Sequence, residues 1–181
     1  MLRITIALLA AMALVAPAAA SAQSTTSVNV IRGTEADDTL QGTPGIDVIF
    51  AFAGNDTIAG LAGPDRIYGG QGDDKISGGD GNDVLRGGRG ADVLDGGAGD
   101  DRIEGRAGSD TILGGDGNDR IWAKGRGGKT DTIDAGPGDD VIHARDGSED
   151  RIACGAGDDT VFADLKDDVA SDCEHVLRRP V

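Results

Sequence analysis

From Gly33 to Trp122 the chain consists of ten consecutive nine-residue units in one unbroken register. They read GTEADDTLQ, GTPGIDVIF, AFAGNDTIA, GLAGPDRIY, GGQGDDKIS, GGDGNDVLR, GGRGADVLD, GGAGDDRIE, GRAGSDTIL and GGDGNDRIW. Place six is Asp in every unit and place eight is Leu or Ile, from Leu40 to Ile121. A period this short leaves few architectures. A nine-residue unit cannot bury its own apolar side chain, so neighbouring units must stack into a continuous repeat structure.

Within a unit, Gly at places one, two and four suits backbone with positive φ, and Asp or Asn at places five and six also tolerates turns. Places seven to nine read as a short extended stretch. Alternation there sends places six and eight to one side and place seven to the other. Ile and Leu at place eight then form an interior ladder. The mixture at place seven (Thr39, Val48, Thr57, Arg66, Lys75) reads as a solvent face. Turn, strand, turn, strand makes one coil of two units, and successive coils pair as parallel strands. The expected fold is all-β, a parallel roll with two nonapeptides per coil. Ten units give about five coils, roughly 24 Å of rod at about 4.8 Å per coil.

In such a roll alternate units bring their turns to the same edge. Asp74, Asp92 and Asp110 share one edge, and Asp65, Asp83, Asp101 and Asp119 the other. Stacked carboxylates repel unless a cation lies between them. Calcium suits this setting, because it accepts six to eight oxygens and mixes carboxylates with backbone carbonyls. Magnesium demands stricter octahedral geometry, and zinc or copper would want the nitrogen and sulfur that two His and two Cys scarcely supply. The flanking helices and the closing Glu of an EF-hand are absent from the pattern.

The units GGQGDDKIS, GGDGNDVLR, GGRGADVLD, GGAGDDRIE and GGDGNDRIW resemble the RTX (haemolysin-type) calcium-binding nonapeptide, GGxGxDxUx, most closely over 69–122. The resemblance implies a parallel β-roll with several Ca2+ ions between turns, held by the place-six Asp and turn carbonyls. Carried onto this chain, it implicates Asp74, Asp83, Asp92, Asp101, Asp110 and Asp119, then Asp56, Asp65, Asp140 and Asp159. Some units depart from the motif: Phe52 and Leu61 at place two, Ile46 and Pro64 at place five, Ala36, Lys129, Ser148 and Lys166 at place four. Lys129 and Lys166 could each put an ammonium where a metal would otherwise sit. The chain's ending also resembles small exported RTX-like proteins.

Around this array the chain reads in four parts. Residues 1–22 read as a signal peptide, with Arg3, an apolar run from Ile4 to Ala16 and the small-residue cleavage site Ala20-Ser21-Ala22. The run is too short for a membrane span, which needs about 20 apolar residues. No transmembrane anchor is expected after cleavage. Residues 23–32 form an N-terminal cap containing a strand candidate at Ser27–Ile31. The roll covers 33–162, with an insertion at 123–125 and one extra residue within 144–153. Residues 163–181 form a C-terminal cap that begins like another unit, with Asp168 at place six. Cys154 and Cys173 are the only cysteines, and an even pair in an exported chain suggests one disulfide.

The formal charge is −15, which becomes −16 once Arg3 is removed. A chain this acidic repels nucleic acid and anionic membranes and attracts divalent cations. Anionic glycans are disfavoured on the same ground. Residues 123–130 fit a relaxed phosphate-loop pattern, but no helix can follow Thr130, so an inserted basic loop is the better reading. His143 and His175 are solitary, Trp122 reads as a lone semi-exposed aromatic, and Glu104 and Glu174 lack a paired acid. No GxSxG or HExxH occurs, so an enzyme is not expected. The functional expectation is a secreted, extracellular calcium-binding protein that folds on binding Ca2+. It would serve a structural, adhesive or interaction role, with calcium and a cell-surface or matrix component as partners. The alternatives are an accessory module of a secreted enzyme and a calcium-dependent ice-binding roll.

Overall fold

The computed structural model describes residues 27–123, 125 and 129–180. The signal-peptide segment and the centre of the phosphate-loop-like stretch lie outside these. Seventeen strands follow one another: β1 (Asn29–Arg32), β2 (Thr39–Gln41), β3 (Asp47–Ala53), β4 (Thr57–Ala62), β5 (Arg66–Gln71), β6 (Lys75–Asp80), β7 (Val84–Arg89), β8 (Val93–Ala98), β9 (Arg102–Ala107), β10 (Thr111–Asp116), β11 (Arg120–Trp122), β12 (Thr132–Pro137), β13 (Val141–His143), β14 (Arg151–Ala156), β15 (Thr160–Asp164), β16 (Asp168–Val169) and β17 (His175–Arg179). The odd-numbered strands form a nine-stranded sheet in sequence order and the even-numbered strands an eight-stranded one. The chain thus alternates between two facing parallel sheets, and the roll has about eight coils.

The register is like on like. Lys75 pairs with Val93 and Ile76 with Leu94; Arg66 pairs with Val84 and Ile67 with Leu85. The core follows from this. Ile58, Ile76, Leu94 and Ile112 from one sheet face Ile49, Ile67, Leu85, Ile103 and Ile121 from the other, all at most 2 % exposed. Leu40 is only half-buried, because β2 ends its sheet and has one strand neighbour. The interior is one branched aliphatic per unit, too thin for any coil to stand without its neighbours.

Strands extend further than places seven to nine. A typical one, Lys75–Asp80, runs through places one to three of the next unit, so the turn shrinks to places four to six. Place one consequently faces inward as a second core row, where Ala51, Ala123, Ala135, Ala144, Cys154 and Ala163 are fully buried. Place-one glycines such as Gly69 and Gly78 therefore do not serve as positive-φ residues; those stand at places two and four, as at Gly70 and Gly72. Phe52, Leu61 and Arg106 take the same left-handed geometry at place two, with φ of 79°, 86° and 82°.

In the cap one place-six assignment differs from expectation, while the expected disulfide forms. The cap unit is one residue short, so Asp167 occupies place six, while Asp168 lies at place seven beside Arg151. Cys154 and Cys173 form a disulfide that ties the second core row to the C-terminal segment. No helix of the described residues is long and apolar enough to cross a membrane.

Candidate metal-binding edges

Each turn aims its place-six Asp inward, and 18-residue coils bring those carboxylates into line. On one edge the backbone N–H of Asp38 donates to Oδ1 of Asp56 at 2.7 Å. The relation repeats from Asp56 to Asp74, Asp74 to Asp92, Asp92 to Asp110, Asp110 to Asp131, Asp131 to Asp150 and Asp150 to Asp167. On the other edge it runs Asp47, Asp65, Asp83, Asp101, Asp119, Asp140, Asp159. Neither ladder breaks where the repeat is lengthened: the steps from Asp110 to Asp131 and from Asp119 to Asp140 span 21 residues and keep the same hydrogen bond.

The ladders are closed by protein groups at their ends. Asp38 Oδ2 accepts from the amide and hydroxyl of Thr34, and Asp47 Oδ2 from those of Thr43. At the far end Asp167 Oδ2 accepts from the Asp164 amide, and Glu174 accepts from the Asp159 amide. Between these closures lie twelve aspartates (56, 65, 74, 83, 92, 101, 110, 119, 131, 140, 150 and 159) whose Oδ2 is buried with no hydrogen-bond partner. All ten aspartates singled out from the sequence are among them. Asp131 and Asp150 are the two that reading left out, although Asp131 holds place six of its unit and could have been found from the register alone.

Burial makes the charged form costly. It pushes Asp65, Asp74, Asp83 and Asp119 up to about 6, and Asp92, Asp101, Asp140 and Asp150 up to about 7. Asp131 rises to about 8. Loss of water is the largest cause throughout, the amide hydrogen bond to Oδ1 opposes it, and neighbouring carboxylates add to it. Asp56, Asp110 and Asp159 shift upward for the same leading reason.

Turn carbonyls complete the edges. A Cβ on Gly72 would lie 2.0 Å from the Gly54 carbonyl oxygen, and one on Gly88 2.1 Å from that of Gly70. Carbonyls at places two and four of one coil therefore rest against bare glycines of the next, as these pairs show. The donor set is all oxygen, buried and short of positive charge, which fits a hard divalent cation. Near the insertion a third carboxylate approaches: Asp131, Asp146 and Asp150 offer oxygens within 4.8 Å of one another. At one departure from the motif a side-chain ammonium reaches a turn carbonyl, as Lys166 Nζ donates to Gly147 at 2.9 Å. Lys129 is exposed.

Other residues sit differently from their sequence reading. Place five builds a second, exposed ladder running the opposite way: the Asp73 amide donates to Asn55 Oδ1 and the Asn118 amide to Asp100 Oδ1. Trp122 is not alone, since it stacks on His143 at 5.2 Å, which stacks on Phe162 at 4.7 Å. Glu104 sits among Arg86, Arg102 and Arg106, and His175 lies 2.8 Å from Asp158.

The family model for the RTX calcium-binding nonapeptide repeat matches the chain in four copies, at residues 32–67, 60–94, 95–125 and 127–161. No curated protein matches it.

Proposed function

The chain belongs to the RTX calcium-binding nonapeptide-repeat family, and from that premise we propose that it is an exported, non-enzymatic protein ordered by calcium. The observation that supports this best is the run of twelve buried, unpartnered Oδ2 atoms, one per turn, between protein-capped ends. Asp56, Asp74, Asp92, Asp110, Asp131 and Asp150 would hold calcium along one edge. Asp65, Asp83, Asp101, Asp119, Asp140 and Asp159 would hold it along the other, each with the turn carbonyls beside it. When bound, calcium supplies the positive charge that the stacked carboxylates lack.

The residues do the rest. Each aspartate anchors its Oδ1 on the amide of the preceding coil, which leaves Oδ2 oriented and dehydrated. The glycines at places two and four let adjacent turns approach closely enough to share oxygens. Binding that occurs only in the folded roll adds directly to folding free energy. Export from a low-calcium interior to a calcium-rich exterior would therefore act as the folding signal. A structural or adhesive role outside the cell is the reading that a long parallel roll with stacked turn carboxylates supports. The Thr row on the even-numbered sheet (Thr39, Thr57, Thr111, Thr132) is interrupted by Lys75 and Val93, which argues against an ice-binding face.

Far-UV circular dichroism of residues 23–181 during a calcium titration, with magnesium as control, tests this reading. A calcium-specific gain of β signal is expected. A spectrum that is already folded in chelator and unmoved by calcium would overturn it.

A further inference from the structure

The net charge of the chain conceals a division between its faces. On the outer side of the four adjacent strands β5, β7, β9 and β11, the outward places carry Arg66, Arg86, Arg102, Arg106 and Arg120 against one acid, Glu104. Arg66, Arg102 and Arg120 stand in register at place seven. The matching face of β6, β8, β10 and β12 carries Lys75 against Asp95 and Asp134. All five Phe, Tyr and Trp residues of the chain also lie on the odd-numbered strands, none on the even.

We propose that the outer face of β5, β7, β9 and β11 binds a single linear acidic polysaccharide chain, one bearing carboxylate or sulfate groups, laid along the roll axis. Arginine is the only cation among the described residues of this face, and its planar fork matches carboxylate and sulfate oxygens. Three of these five guanidiniums, those of Arg86, Arg102 and Arg106, are held by neighbours. Arg102 lies 3.9 Å over the Trp122 ring and Arg86 5.4 Å over that of Tyr68, and Glu104 ties Arg86, Arg102 and Arg106 together. Ordering them in advance lowers the entropy lost on binding. Arg66 and Arg120 are exposed and enter no ion pair among the described residues, so they remain available.

The shape of the strip selects the ligand. Strands about 4.8 Å apart each carry an arginine: Arg66, Arg102 and Arg120 stand in the place-seven row, and Arg86 stands at place nine of β7, whose place seven is Val84, so the strip runs parallel to the roll axis. On either side lie edges rich in carboxylates, with exposed Asp73 and Asp100 at place five. A thin chain stays on the cationic line, whereas a wide duplex would overhang the acidic edges. Single-stranded nucleic acid would seek free aromatic faces. Here the rings turn their faces to one another or to arginines, as Phe50 does to Tyr68 at 4.9 Å and 7°. The dependence on calcium rests on the reading above: calcium would align the strip and neutralise the edges that repel a polyanion.

The test is isothermal titration of the full mature chain with chondroitin sulfate in calcium, with neutral dextran and oligo(dT) as comparisons and circular dichroism on the same samples. The expected result is binding to chondroitin sulfate alone, weakened at least tenfold in the triple variant Arg66→Gln, Arg102→Gln, Arg120→Gln. The variant Lys75→Gln, Arg151→Gln on the opposite sheet should bind as wild type does. An ordered roll that ignores chondroitin sulfate, equal binding by the triple variant, or equal binding of oligo(dT) would each overturn the proposal and leave the calcium reading standing. Binding without any calcium-induced ordering would do the reverse.

Discussion

The amide of Asp83 donates to Oδ1 of Asp101 at 2.8 Å, and the other oxygen of that same carboxylate is buried with no partner. One carboxylate thus performs two tasks. Oδ1 measures the distance between coils, and Oδ2 supplies the negative charge that demands a cation. The two can be separated by experiment.

Asp101→Asn keeps an oxygen for the Asp83 amide and removes the charge. The metal-free roll should become easier to fold at neutral pH, because a desolvated anion and its repulsion from Asp83 and Asp119 are gone. Calcium should be needed at several-fold higher concentration to reach full β signal, since one charged ligand is lost. A calcium titration by circular dichroism reads both effects, and an unchanged midpoint would remove Asp101 from the binding set.

Acid should stabilise the metal-free roll. Asp65, Asp74, Asp83 and Asp119 hold their protons to about pH 6 when folded, Asp92, Asp101, Asp140 and Asp150 to about 7, and Asp131 to about 8, against 3.8 without the fold. Folding therefore takes up protons. The stabilisation is complete below about pH 4 and is lost as pH rises through 6 to 8. In chelator, β signal should be highest near pH 4 and fall across that window. Calcium affinity should rise over the same window, as fewer protons must be displaced.

Gly88→Ala should be poorly tolerated. Its φ is 133°, and a Cβ would lie 2.1 Å from the Gly70 carbonyl oxygen. Left-handed strain alone costs about 1–3 kcal/mol, and the clash would push adjacent turns apart. Chemical denaturation in calcium should show the loss, together with weaker calcium binding at the turns on either side.

Reduction of the Cys154–Cys173 disulfide should loosen the C-terminal end first. The bridge closes a loop with a sequence separation of 19, and the chain-entropy account gives such a loop about 3 kcal/mol. Hydrogen exchange of the calcium-loaded protein with and without reductant should show protection lost in β14 to β17, with β5 to β9 little changed.

Much of the edge was legible because its signal is local. Asp at every sixth place and Ile or Leu at every eighth need only the period to be read, and the alternation of turns between two edges follows from two units per coil. Asp131 was legible in the same way. Asp150 and Asp167 were harder, because coils of 19 and 17 residues replace the regular 18 around them. Thr34, Thr43 and Glu174 escaped entirely, since a capping contact across a turn leaves no periodic trace. The inward turn of place one escaped too: glycine signals freedom of the backbone and is silent about the side chain it must avoid.

What the amino-acid sequence determined alone is the repeat, and with it the parallel roll, the thin aliphatic core and the stacked carboxylates, because a strict nine-residue period constrains every unit equally. What only the tertiary structure decided is how the non-periodic residues are sorted. Tyr68, Arg86, Arg102 and Trp122 are scattered along the chain, but successive odd-numbered strands carry them all to one face. Net charge sums over the molecule, whereas a ligand meets one face at a time. A chain of charge −15 therefore presents an arginine strip that its composition argued against.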